Sequence, residues 1–209
     1  MRILFQGDSV TDCHRDRSDF WGLGEGYVKY TVDALKAMFP NDDIEFINRG
    51  ISGNRTCDVL ARADEDIVDL KPDIVTMLIG VNDTWRRYDM NLPTTEEQFV
   101  ANYEAIISKI KETGAKFIML EPFLIYNMGR DGYREDLNPK IDETRKLAVK
   151  YADKYIALDG ILASAAVCCD NVADISADGV HPAELGKKII AENLVPILAE
   201  FINSIKSKS

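Results

Sequence analysis

Short apolar runs rich in Ile, Val and Phe recur along the chain, each followed by a longer stretch whose apolar residues return at helical spacing. This alternation constrains the fold more than any other feature. Runs apolar throughout suit strands covered on both faces, and the intervening helical stretches supply the crossovers that parallel strands need. Five strands are predicted, at 2–6, 43–48, 73–79, 116–121 and 155–158, each leading at its C-terminal end into a segment containing Gly, Pro or Asp. Helices are predicted at 27–38, 58–70, 94–113, 139–151 and 182–205. The clearest is 94–113, where Thr94 and Glu97 form a capping-box pattern, Phe99, Tyr103, Ile106 and Ile110 share a face, and Gly114 stops the helix. Pro196 removes an amide from the last helix and is expected to kink it. No repeat, linker or low-complexity segment divides the chain. The expectation is a single α/β domain over 1–209, a three-layer α/β/α arrangement around a five-stranded parallel sheet.

Composition bears on what such a domain can bind. The 209 residues, 46% of them hydrophobic, can bury a core without metal or disulfide staples. The formal charge of -10 opposes binding to nucleic acid or to an acidic membrane surface, and no apolar run approaches the roughly 18 residues of a membrane span. Small neutral or cationic molecules fit better. Cys13, Cys57, Cys168 and Cys169 form no CxxC pair, and two are adjacent, so reduced thiols are expected. The apolar stretch after Met1 and Arg2 turns polar at Gln6, too early for a signal-peptide core. Cytoplasmic location is the resulting expectation.

In a doubly wound sheet the functional residues lie beyond the carboxyl ends of the strands. Three such loops read Gly7-Asp8-Ser9-Val10-Thr11-Asp12, Gly50-Ile51-Ser52-Gly53-Asn54 and Gly80-Val81-Asn82-Asp83. A fourth segment, Asp178-Gly179-Val180-His181-Pro182, lies near the C-terminus. A serine hydroxyl needs a base to become nucleophilic at neutral pH, and only His14 and His181 could be an imidazole base. Asp178, three residues before His181, can orient one ring nitrogen and leave the other for Ser9. A developing oxyanion needs fixed donors, which the Ser9 amide, the Gly53 amide and the Asn82 side chain could supply from three loops.

Taken in order, GDSVTD, GISGN, GVND and DGVHP resemble the four blocks of the GDSL or SGNH hydrolases along nearly the whole chain. The resemblance implies a flavodoxin-like winding, Ser9, Gly53, Asn82 and His181 as the family's four named residues, and Asp178 as triad acid, with no cofactor or metal. GDSVTDCHRD, GLGEGYVKY, NRGISGN and GVNDTWRRYD are further similar to the intracellular acetylxylan esterases of that family. That similarity implies a serine esterase acting on acetylated xylo-oligosaccharides, working as a homo-oligomer. Alternative readings are a lysophospholipase or thioesterase with the same triad, and a catalytically silent carbohydrate-binding protein. The former needs an extended apolar groove, and the latter would be expected to lack a triad or oxyanion residue.

Other residues have plainer readings. Asp8 and Asp12 are expected to hold the nucleophile loop by hydrogen bonds, and His14 to be a solvated loop residue. Trp85 is the candidate for sugar stacking, with Tyr88 beside it and packing beneath the loop as the competing use. Trp21 and Tyr126 are expected in the core. Ser52 is not in a GxSxG elbow, and Gly22, Gly24 and Gly26 lack dinucleotide-site spacing. The run from Asp174 starts like a calcium loop but has Leu185 at its twelfth position in place of Glu.

Overall fold

A computed structural model describes residues 1–126 and 128–207. The single unit predicted over 1–209 thus includes 127, 208 and 209, which lie outside the described residues. Five parallel strands, β1 (Arg2–Gly7), β2 (Glu45–Asn48), β3 (Ile74–Leu78), β4 (Lys116–Leu120) and β5 (Lys154–Ile156), form one sheet in the order β2-β1-β3-β4-β5. The chain moves outward from β1 to β2 and then returns past β1 to β3. The winding direction therefore reverses between β1 and β3, where doubly wound sheets open a crevice at their carboxyl edge.

The strands are buried on both faces, and side-chain alternation sorts their residues between two cores. Ile3 and Phe5, Ile74 and Leu78, and Ile118 and Leu120 pack on one side. Leu4, Val75, Met77, Phe117 and Met119 pack on the other. The first side is covered by α2 (Tyr27–Met38), α7 (Leu158–Cys168) and α8 (Glu184–Lys206), which contribute Val28, Val32, Leu162, Leu194 and Leu198. The second is covered by α3 (Thr56–Ala61), α5 (Glu96–Thr113) and α6 (Arg134–Tyr151), through Val59, Phe99, Tyr103, Ile106 and Leu147. Each such side chain removed from water contributes about 1.5–3 kcal/mol before entropy is counted. The three-layer α/β/α architecture is the one expected.

Several boundaries move. The capping box of α5 is made by Thr95 and Gln98, one position beyond the predicted pair. The helix predicted at 58–70 divides into α3 and a π-helical turn at Asp64–Val68. α6 begins before Pro139, which lies inside it, and α8 continues through Pro196. In both cases one backbone hydrogen bond is forgone while the apolar faces on either side remain packed. Besides the single turn at Ser9–Asp12, two helices escaped the sequence reading: α4 (Val81–Asp89), directly after β3, and α7. Among the described residues no helix is long and apolar enough to cross a membrane.

Candidate active site

Ser9 opens α1 (Ser9–Asp12), a single turn at the end of β1. A Cβ at Gly7 would collide with the Thr11 hydroxyl and the Leu78 carbonyl, so the turn closes this tightly only with glycine there. Asp8 caps the turn, its Oδ1 accepting from the Val10 amide at 3.0 Å. As the first helical residue, Ser9 carries an amide with no acceptor within the helix. Its Oγ lies 2.9 Å from His181 Nε2.

His181 is fixed from behind. Its Nδ1 lies 2.7 Å from Asp178 Oδ2. The other oxygen, Oδ1, accepts from the amides of Val180 and His181 at 2.9 and 2.8 Å, an Asx-type turn that holds acid and base in one short piece of chain. Burial alone would raise the Asp178 pKa, but hydrogen bonds from the His181 ring and from these two amides outweigh it and hold the carboxyl far below its usual range. The Asp178 hydrogen bond in turn raises the His181 pKa against the opposing effect of burial. With Asp178 accepting from Nδ1–H, Nε2 of the neutral ring is free to accept the Ser9 proton. Ser176 adds a brace the sequence reading missed: its hydroxyl donates to the His181 carbonyl at 2.8 Å and to Asp178 Oδ1 at 3.3 Å. A serine two residues before the acid was the available signal.

Gly53 and Asn82 reach the same place from β2 and β3. Gly53 has φ +85, which a side chain would resist, and its amide meets no acceptor among the described residues. Asn82 lies in the first turn of α4, only 3% exposed, and donates one amide hydrogen to the Asn54 carbonyl at 3.1 Å. An amide nitrogen has two hydrogens, so one remains for the cavity that Asn82 lines.

Carboxylates lace the three loops together. Asp12 accepts from the Ser52 amide and hydroxyl at 2.9 and 2.7 Å and from Arg17 at 2.5 Å, tying the first loop to the second. Asp83, fully buried, accepts from the Thr56 amide at 3.0 Å and hydroxyl at 2.6 Å, tying the second to the third. Burial pushes the Asp83 carboxyl up to about 6 and that of Asp8, 1% exposed, up to about 7. The loop-holding role expected of Asp8 and Asp12 matches these bonds. The bracing by Asp83 went unread because a carboxylate beside a motif asparagine carries no sign of its distant partner.

These groups open onto a cavity of about 510 Å³ lined by Ser9, Gly53, Asn82 and His181 together with His14, Trp85, Arg86 and Lys187. Trp85 is half-buried, with its ring centroid 5.8 Å from that of His181 and the Arg130 guanidinium 4.4 Å above its face. Tyr88 turns away and stacks on Tyr133 at 4.0 Å. His14 is exposed yet borders the cavity. The core placement expected for Trp21 and Tyr126 is overturned: they are 50% and 49% exposed. Trp21 packs edge-on against Phe20, and Tyr126 lies under the Arg134 guanidinium, so both rings find their contacts at the surface. All four cysteines are free, and the described residues hold no group of three or more His, Cys, Asp or Glu placed to ligate a metal.

Residues 5–189 match the GDSL-like lipase/acylhydrolase family model. The chain is 33% identical to an acetylxylan esterase of Geobacillus stearothermophilus over 202 residues, covering 91% of this chain and 90% of that one. It is 28% identical to an arylesterase of Vibrio mimicus over 194 residues, covering 91% and 84%. The crystal structure of the Geobacillus enzyme superimposes with a TM-score of 0.85 at 30% identity, over 93% of this chain and 92% of that one. Structures of that enzyme described as catalytic mutants replace a serine, an aspartate and a histidine by alanine. The aspartate and histidine stand three positions apart, as Asp178 and His181 do.

Proposed function

The chain belongs to the GDSL-like lipase/acylhydrolase family, and from that footing we propose that it is a serine esterase that removes acetyl groups from acetylated sugars, xylo-oligosaccharides foremost. The observation that carries the reading is the unbroken path from Ser9 Oγ through His181 to Asp178, with steps of 2.9 and 2.7 Å, at the wall of a cavity. His181 Nε2 takes the Ser9 proton as Oγ bonds to the acetyl carbonyl carbon. The Ser9 amide, the Gly53 amide and the spare Asn82 hydrogen receive the charge that forms on the carbonyl oxygen. The carbon–oxygen bond to the sugar then breaks, and the departing oxygen takes the proton from His181. Water, losing a proton to the same nitrogen, attacks the acetyl-serine, and acetate leaves as Oγ regains its proton. Asp178 keeps the ring oriented and stabilises its cationic form throughout.

Substrate class is supported by the cavity wall and by the Geobacillus relative. Ser52, Arg86, Asp89 and Lys187 bring polar and charged groups into the wall that can meet sugar hydroxyls, and Trp85 offers a ring face beside the base. The free thiols support a reducing, cytoplasmic setting. The exposed Tyr88, Met90 and Leu92 at the end of α4 support assembly with further copies. The deciding experiment is acetate release from acetylated xylo-oligosaccharides, with Ser9→Ala run in parallel. Release abolished in a folded Ser9→Ala protein is the expected result. Equal release by both proteins would overturn the nucleophile, and none by either would overturn the substrate class.

A further inference from the structure

The charge lining the cavity runs against that of the molecule. The chain carries a formal charge of -10, yet the cavity contains Arg86 and Lys187 against one carboxylate outside the triad, Asp89. Asp89 is engaged by Arg86 in an ion pair. Lys187, half-buried near the start of α8, forms no ion pair or side-chain hydrogen bond with any described residue, and Glu184, the carboxylate that feels its charge, is paired with Lys188. At the other side of Trp85, Arg130 donates at 2.5 Å to the uncharged Asp178 carbonyl and lies over the indole, and it too has no carboxylate partner among the described residues. Lys187 in the cavity wall, and Arg130 beside Trp85 outside that wall, are thus two cations held in no ion pair near the Ser9–His181 pair. In a concave wall a charge such as that of Lys187 acts at short range with less screening than on an open face.

We propose that Lys187, with Arg130 reinforcing the field, selects esters whose sugar portion bears a carboxylate, so that the preferred substrates are acetylated oligosaccharides substituted with a uronic acid. This rests on the acetyl-esterase reading and narrows it. The Lys187 ammonium is a compact point charge with three donors on a flexible stem, able to meet a carboxylate on a sugar neighbouring the one that is deacetylated. It touches no reacting atom, so it is a specificity-determining residue and acts on the choice among substrates. The opposing overall charge would slow the approach of such a molecule, and the local cations offset that at the pocket itself.

The test compares two acetylated xylo-oligosaccharides of equal length, one with and one without a glucuronic acid branch, in wild type, Lys187→Gln and Lys187→Arg. The readout is the acidic-to-neutral ratio of kcat/KM. Dissociation constants of the two compounds from the inactive Ser9→Ala protein, with and without Lys187→Gln, are measured by calorimetry. Wild type is expected to favour the acidic compound about fivefold at low salt, as an ion pair of this exposure allows. The preference should shrink with added salt, survive in Lys187→Arg and vanish in Lys187→Gln. Equal ratios in wild type, or a preference that Lys187→Gln leaves intact, would overturn the proposal. Should neither ester be hydrolysed, the esterase reading fails, and the two dissociation constants still decide the charge selection separately.

Discussion

Replacing Asp178 by Asn removes one negative charge beside the base while preserving side-chain size, so its consequences can be worked from the distances. Oδ2 lies 2.7 Å from His181 Nδ1, and two unit charges at that separation, screened as in water, attract by about 1.5 kcal/mol. Water-like screening is the appropriate discount, because the His181 side chain is 48% exposed. In the native protein the Asp178 hydrogen bond raises the ring pKa above its ordinary value, and the form able to accept the Ser9 proton disappears as pH falls through that raised value. The acid limb of kcat/KM in Asp178→Asn should therefore move to lower pH. Turnover should suffer more. An asparagine amide that donates to Nδ1 forces the proton onto Nε2, the nitrogen that must receive from Ser9, and loss of the productive tautomer costs on the order of 10⁴ in kcat. Initial rates of 4-nitrophenyl acetate hydrolysis from about pH 4 to about pH 9 read both quantities. An acid limb that stays in place or moves to higher pH would refute the electrostatic argument. A kcat within about tenfold of wild type would refute the orienting role.

Two further variants test the scaffold. Gly53→Ala must hold φ +85 with a Cβ 3.0 Å from Arg86 Nη2, so its amide should shift and kcat should fall about 10²–10³-fold with KM little changed; a raised KM at unchanged kcat would show that this amide serves binding instead. In Asp8 the folded carboxyl is pushed up to about 7 by burial, whereas the unfolded chain loses that proton near pH ~3.9. The native state thus binds the extra proton between these values, and its stability falls as pH rises through them. Asp8→Asn keeps the cap on α1 and cannot ionise, so the drop in urea midpoint between about pH 5 and about pH 8 should shrink; an undiminished drop would mean that Asp8 is not the group responsible.

The sheet was legible because its strands are apolar on both faces, and the four motif segments because glycine, serine, asparagine and histidine stand out at strand ends. The helix α4 was not, for a physical reason. Its buried residues include Asn82, Asp83 and Thr84, the first two held inside by Asn54 and Thr56, so helical periodicity of apolar residues is missing where the site is being built. α7 failed in the opposite way: it is apolar almost throughout yet leaves Val167 86% exposed, and a run without polar contrast gives no face to read. The bracing by Asp83 and Ser176, and the isolation of Lys187, are properties of what lies nearby in space. Sequence spacing carries no record of them.

The position of His181 just ahead of α8 gives the site an order of assembly. Its partner Ser9 is 172 residues away in the chain, while the Asp178–His181 turn is made locally, and the helix that follows packs on α2 and on the sheet face beneath it. A growing chain has its nucleophile loop after the first strand and acquires the base only after all five strands are made. The hydroxyl therefore remains an ordinary alcohol until α8 has docked, and returning esterase activity during refolding dates the docking of that helix against the loop after β1.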